Sequence, residues 1–199
     1  EADVLKAKKD IEKVNSKVQV LAHAVDFGDK NSVEAYVKHI QTEWKSIDIV
    51  VNNAGIYFED YIDTDIEENL EKILNINLFS AVRINKAVIE SMKKNKKGVI
   101  IHIVSIAAKQ HREDAATYSI SKMALKSYND LMRDSLKKYG IKVIALYPGA
   151  MDTSSWDGIS VDKNKMIQMR DMTGTIMNAI NLSENTSIEE IIINTVQEL

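Results

Sequence analysis

The sequence predicts a doubly wound α/β fold, a parallel sheet with helices on both faces, built as a single domain. Three observations carry that expectation. Short β-branched runs alternate with longer stretches of helical period, which is the pattern of βαβ units. The run at residues 47–51 is almost unbrokenly apolar, as a strand covered on both faces must be. Finally, 199 residues at 45% hydrophobic content make one full core, and no Ser/Gly/Pro-rich linker divides it.

Taken in order, residues 1–15 read as a Lys/Glu-rich amphipathic helix with Val4, Leu5, Ile11 and Val14 on its apolar side. Residues 18–24 read as a strand, and residues 29–44 as a helix with Val33, Tyr36, Val37 and Ile40 on one face. After the strand at 47–51, residues 66–94 read as helix, broken or bent near Asn75-Ile76-Asn77. Gly98 opens a third strand at 99–104, and a long helix at 115–139 is ended by Gly140 as a C-terminal cap. A strand at 141–147 stops at Pro148-Gly149; a polar loop, a helix at 171–182 and a last strand at 188–194 follow. That makes five strands.

A helix that leads directly into a buried strand implies that something precedes it. In a sheet of order 3-2-1-4-5-6 the phosphate-binding turn follows the first strand, yet no Gly-x-Gly pattern occurs before Gly55, and Gly28 stands alone. The expectation is that the first βαβ unit, at least about 30 residues, is missing from the front of this chain.

Composition narrows the partners. Twenty-six basic and 29 acidic residues, net charge −3, are interspersed, so no field of one sign is expected to attract nucleic acid or an anionic membrane. The absence of cysteine excludes disulfides and thiolate metal sites, and His23, His39, His102 and His111 show no ligand spacing; no metal is expected. No signal-like N-terminus or long apolar run appears, so a soluble cytoplasmic protein is the expectation.

The chemistry-bearing residues come in a fixed order. On a helix, Tyr118 and Lys122 share one face at i, i+4, where an ammonium favours ionisation of the phenol. Moving a tyrosine from its ordinary pKa near 10 to about 7 takes on the order of 4 kcal/mol. In isolation such a pair is usually a packed tyrosine beside a solvated lysine. Ser105 stands at the carboxyl end of the 99–104 strand, where parallel sheets bind ligands, and it either donates to a carbonyl oxygen or caps a turn. Asn52-Asn53-Ala54-Gly55 follows the 47–51 strand, and its small residues admit a flat ring or simply make a turn.

NNAG at 52–55, Asn77 in ILNINLFS, Ser105, YSISK at 118–122 and PGAMDT at 148–153 together resemble the short-chain dehydrogenase/reductase family, in order and over essentially the whole chain. The resemblance implies a Rossmann-like sheet and reversible reduction of a carbonyl to an alcohol with NAD or NADP, with the preference between them unreadable. It implies Tyr118 as general acid/base, Lys122 lowering its pKa and holding the nicotinamide ribose, Ser105 polarising the carbonyl oxygen, and Asn77 holding a relay water. Asp26, with Phe27 beside it in AVDFGD, resembles the aspartate that contacts the adenine amino group. Asn53, Ala54 and Gly55 would line the adenosine side, and Pro148, Gly149, Met151 and Thr153 the nicotinamide side.

The same resemblance suggests a small or carrier-bound carbonyl substrate, as for 3-oxoacyl-[acyl-carrier-protein] reductases, and a homodimer or homotetramer through helices 77–94 and 115–139. Residues 154–165 occupy the place of a substrate lid, where Trp156 either closes over substrate or packs on the core. Tyr57, Phe58, Gln110 and His111 either shape the pocket or are loop surface, and Met166, Met169, Met172 and Met177 read as core filler. The departure from the family is the absent TGxxxGxG turn, which keeps a second reading open: a binding or scaffold protein that retains the fold without the cofactor. A nucleotide-sugar epimerase would need a larger C-terminal domain.

Overall fold

A computed structural model of the chain describes residues 2–153, 156, 158 and 160–196. Its centre is a four-stranded, all-parallel sheet in the order β1-β2-β3-β4, formed by β1 (Ile49–Asn52), β2 (Gly98–Ile103), β3 (Ile141–Pro148) and β4 (Glu190–Ile193). The helices are α1 (Ala2–Val14), α2 (Lys30–Glu43), α3 (Glu67–Leu74), α4 (Ser80–Asn95), α5 (Ala116–Leu136) and α6 (Met169–Ile180).

The two-residue period of the strands assigns the faces. Ile100 and Val143 point into a core with Val88 and Met92 of α4 and Met132 and Leu136 of α5. Val104, Ala145 and Tyr147 continue that face against Ala81 and Leu125. On the opposite face Ile101, Ile144 and Leu146 pack against Met172 and Ala179 of α6. β3 is therefore buried on both sides for almost its whole length.

The expected bend at Asn75-Ile76-Asn77 is a π-helical turn, Asn75–Phe79, that joins α3 to α4 in one continuous path. The reversal between α4 and β2 and that between α5 and β3 come together at Gly140. Its φ is 72°, and a Cβ there would lie 2.7 Å from the Lys96 carbonyl oxygen, so only glycine fits. Asp29 caps α2, accepting the Asn31 and Ser32 N–H groups at 3.0 and 3.2 Å, and Val33 and Ile40 are the residues this helix buries.

The structure corrects one strand. Residues 18–24 form no ladder, so the sheet has four strands rather than five. β-Propensity alone does not make a strand, because its N–H and C=O groups need a neighbour. β1, the strand nearest in sequence, is itself an edge, with Ile49 and Val51 each 43% exposed. The apolar side of α1 is likewise uncovered: Leu5, Ile11 and Val14 are all exposed. Of the four methionines, Met166 and Met172 are core filler, whereas Met169 and Met177 are exposed.

Candidate active site

Because all strands run in parallel, their carboxyl ends gather at one rim. β1 delivers Asn52 to Gly55 there, β2 delivers Ser105, and β3 delivers Pro148 and Gly149. Ser105 is buried, its Oγ accepts the Ala107 N–H at 3.1 Å, and its hydroxyl acts on the Tyr118 phenol, lowering its pKa. It is thus both a cap and a partner of Tyr118.

The i, i+4 spacing on α5 does bring Lys122 to Tyr118, with Nζ 5.6 Å from the ring centroid. Lys122 is only 4% exposed, and its ammonium donates to the Ile103 carbonyl at 3.0 Å. Burial brings its pKa down from 10.5 to about 8. For Tyr118 the direction is the reverse of the expectation: burial pushes the phenol up, opposed by the Ser105 hydrogen bond and the Arg112 charge. Lys122 Nζ sits over the Tyr118 ring. The cation that acts on the phenol in this structure is Arg112, which sequence spacing gave no means to single out.

Asn77 is 1% exposed in the π turn, and its amide locks onto the loop after β1. Oδ1 accepts the Ile56 N–H at 2.8 Å, while Nδ2 donates to the Ile56 carbonyl and to Ser121 Oγ, both at 3.0 Å. Both side-chain donors are thereby occupied by protein groups. Ser121, unforeseen in the sequence, closes this link by donating to the Tyr118 carbonyl at 2.8 Å.

Gly55 passes beside the same cluster: a Cβ there would lie 3.4 Å from both Asn77 Oδ1 and Lys122 Nζ. Asn53, Ala54 and Asn77 line a groove of about 790 Å³ along the open edge of β1, with Phe27 on its far wall. Asp26 is exposed and turned onto its own loop, accepting the Gly28 N–H at 2.8 Å. Gly149 lies against the Asn194 side chain, which would have to move to admit a Cβ there. Met151 bridges to Ile167 and is packed in the α6-side core, and the Thr153 carbonyl accepts the Trp156 N–H at 3.2 Å. Trp156 is half-buried, whereas Ser154, Ser155, Asp157 and Ile159 of the expected lid lie outside the described residues.

Tyr57 stacks edge-on against Tyr118 at 5.4 Å, while Phe58 lies under Lys72, and Gln110 and His111 are exposed. A buried ammonium with one donor bound to protein, beside a glycine backbone, fits the ribose and nicotinamide end of a dinucleotide. A pyrophosphate has no glycine-rich turn among the described residues.

The fold and this site define a Rossmann-like α/β protein with serine, tyrosine and lysine assembled at the carboxyl rim of its sheet. The chain belongs to the short chain dehydrogenase family, which it matches over residues 1–164. It is 34% identical over 149 residues to a diacetyl reductase [(S)-acetoin forming] of Staphylococcus epidermidis, covering 74% of this chain and 58% of that protein. To the 3-ketodihydrosphingosine reductase of Mus musculus it is 33% identical over 156 residues, covering 77% and 47%. A beta-ketoacyl-[ACP] reductase structure from Bacteroides thetaiotaomicron superposes with a TM-score of 0.80 at 29% identity, over 97% of this chain and 81% of that one. An alcohol dehydrogenase from Thermococcus sibiricus, complexed with 5-hydroxy-NADP, shares the fold with a TM-score of 0.86 at 22% identity, over 100% and 84%. The chain spans about half the length of the curated relatives it matches.

Proposed function

We propose that this chain carries the catalytic centre of an NAD(P)-dependent oxidoreductase that interconverts a carbonyl and a secondary alcohol. The observation that carries the reading is the buried Ser105 whose hydroxyl acts on the Tyr118 phenol, with the buried Lys122 one helical turn on. When bound, NAD(P)H supplies the hydride to the carbonyl carbon. The protein's task is the proton and the developing charge. Tyr118 gives its hydroxyl proton to the carbonyl oxygen as the C=O double bond becomes a C–O–H single bond, leaving a phenolate. The Ser105 hydroxyl donates to the same oxygen, stabilising the charge that builds there more than the ketone. Lys122 would hold the nicotinamide ribose, and the Arg112 charge lowers the energy of the phenolate.

Asn53, Ala54, Gly55 and Phe27 would line the cofactor, with Asp26 at the adenine end and Pro148, Gly149, Met151 and Thr153 at the nicotinamide end. Asn77 anchors the loop after β1 beside Lys122. A relay water there would have to bind a group other than its side-chain amide N–H. The relatives' names point to ketones that range from a diketone to a 3-oxoacyl chain and a long-chain 3-keto sphingoid base, and the family suggests a homodimer or homotetramer of single-domain subunits.

The test is a panel of diketones, simple ketones and 3-oxoacyl thioesters given to the full-length protein with NADH and with NADPH. Stoichiometric oxidation of the nicotinamide with formation of the alcohol supports the reading. Tight nicotinamide binding with no carbonyl consumed, or no nicotinamide binding at all, would return the fold to a scaffold role.

A further inference from the structure

Helix α5 carries Tyr118 and Lys122 in its first two turns, yet its own N-cap is Ala115, which makes no side-chain cap. The first N–H groups of a helix need acceptors. They are supplied from 57 residues earlier in the chain by Asp60, in the loop that continues from Asn52-Asn53-Ala54-Gly55. Asp60 is 7% exposed. Its Oδ1 accepts the Thr117 N–H at 3.0 Å, and its Oδ2 accepts the Thr117 hydroxyl at 2.6 Å and Asn69 Nδ2–H of α3 at 3.3 Å. Its backbone joins in: the Ala116 N–H donates to the Asp60 carbonyl at 3.1 Å, and the Asp60 N–H to the Asp114 carbonyl at 3.2 Å. One buried carboxylate therefore ties together α3, the loop after β1 and the first turn of α5, and the residue after Thr117 is Tyr118.

We propose that Asp60 is a positioning residue for the reaction: it caps α5 from outside and sets the register of Tyr118 against Ser105 and of Lys122 against the Gly55 backbone. The inference rests on the oxidoreductase reading for its kinetic consequence, but its structural content does not. A carboxylate at a helix N-terminus also complements the helix dipole. The geometry it fixes is one in which a misplacement near 1 Å costs about 100-fold in rate. Asp60 touches neither substrate nor the reacting atoms.

The test uses Asp60→Ala, Asp60→Asn and Thr117→Val in the full-length protein, with two readouts. Steady-state kinetics, normalised to nicotinamide-binding sites, should show kcat reduced about 10- to 100-fold for Asp60→Ala with the nicotinamide Kd nearly unchanged. Asp60→Asn, which still accepts from the Thr117 N–H, should recover part of that loss, and Thr117→Val should fall between it and the wild type. The second readout is the titration of the Tyr118 phenol by carbon-13 NMR of ring-labelled tyrosine, assigned with Tyr118→Phe. It should move to higher pH in Asp60→Ala as the pKa-lowering influence of Ser105 is lost.

Unchanged kcat per site together with an unchanged Tyr118 titration, accompanied only by a lower melting temperature, overturns the proposal and leaves the oxidoreductase reading standing. A moved titration in a protein that turns over no carbonyl sinks that reading instead and keeps the positioning role. If Asp60→Ala does not fold, the same two readouts on Asp60→Asn and Thr117→Val decide, and wild-type values in both overturn the proposal.

Discussion

Lys122 is a cation held where water is scarce, with the Ile103 carbonyl as its hydrogen-bonded partner. Burying a charge in this way destabilises the folded chain. We therefore expect Lys122→Met to raise stability by about 1–3 kcal/mol in urea titrations at pH 7 while turnover is lost. A variant that is both inactive and less stable would show that the lysine is an ordinary structural residue. His102, fully buried on β2, gives a second residue-scale prediction. Its Nδ1 lies 2.8 Å from Asn129 Oδ1 and its Nε2 2.9 Å from Asn85 Nδ2, while Asn85 Oδ1 accepts from Asn52 Nδ2 at 3.0 Å. That chain admits only the neutral ring protonated on Nδ1, and burial holds its pKa down from 6.5 to about 4.

Below pH 6.5 the unfolded chain takes a proton that the folded chain refuses. The contribution of His102 is thus fully present above pH 6.5 and falls toward about pH 4, by about 1.4 kcal/mol per pH unit at most. His102→Asn should flatten the stability profile in that window, and an unaltered acid limb would contradict the assignment. These residues differ in how readable they were. Tyr118, Lys122, Ser105 and Asn77 announce themselves by type and spacing, and the structure does gather them. Arg112, Ser121 and the His102 network carry no spacing signal, because they meet only after helices and strands from distant segments pack.

At the scale of elements, local signals were legible where one element settles its own fate. The Asn75-Ile76-Asn77 irregularity became a π turn, and Gly140 ended α5 through a short 3-10 turn as expected. Gly140→Ala should lose about 1–3 kcal/mol in chemical denaturation, because it must adopt φ near 72° and also press on the Lys96 carbonyl. A loss of only a few tenths would mean that the two reversals adjust freely. Residues 18–24 show the limit of local reading. Their pattern is that of a strand, but a strand exists only with a partner, and pairing is a property of two segments rather than one.

At the scale of the molecule, the parallel order of four strands explains why residues from positions 52 to 149 converge at one rim. The sequence already held the fold class in its alternation of periods. It did not hold the electrostatics of the site: how deeply Tyr118 is buried, and which cation reaches its oxygen, follow from the packed whole. The central claim is that the proton moves through Tyr118. Turnover and nicotinamide affinity of Tyr118→Phe in the full-length protein test it most directly. The account predicts kcat/KM reduced by about 1,000-fold or more, with the Kd for the nicotinamide cofactor changed by no more than about twofold. A variant that keeps wild-type turnover would contradict it.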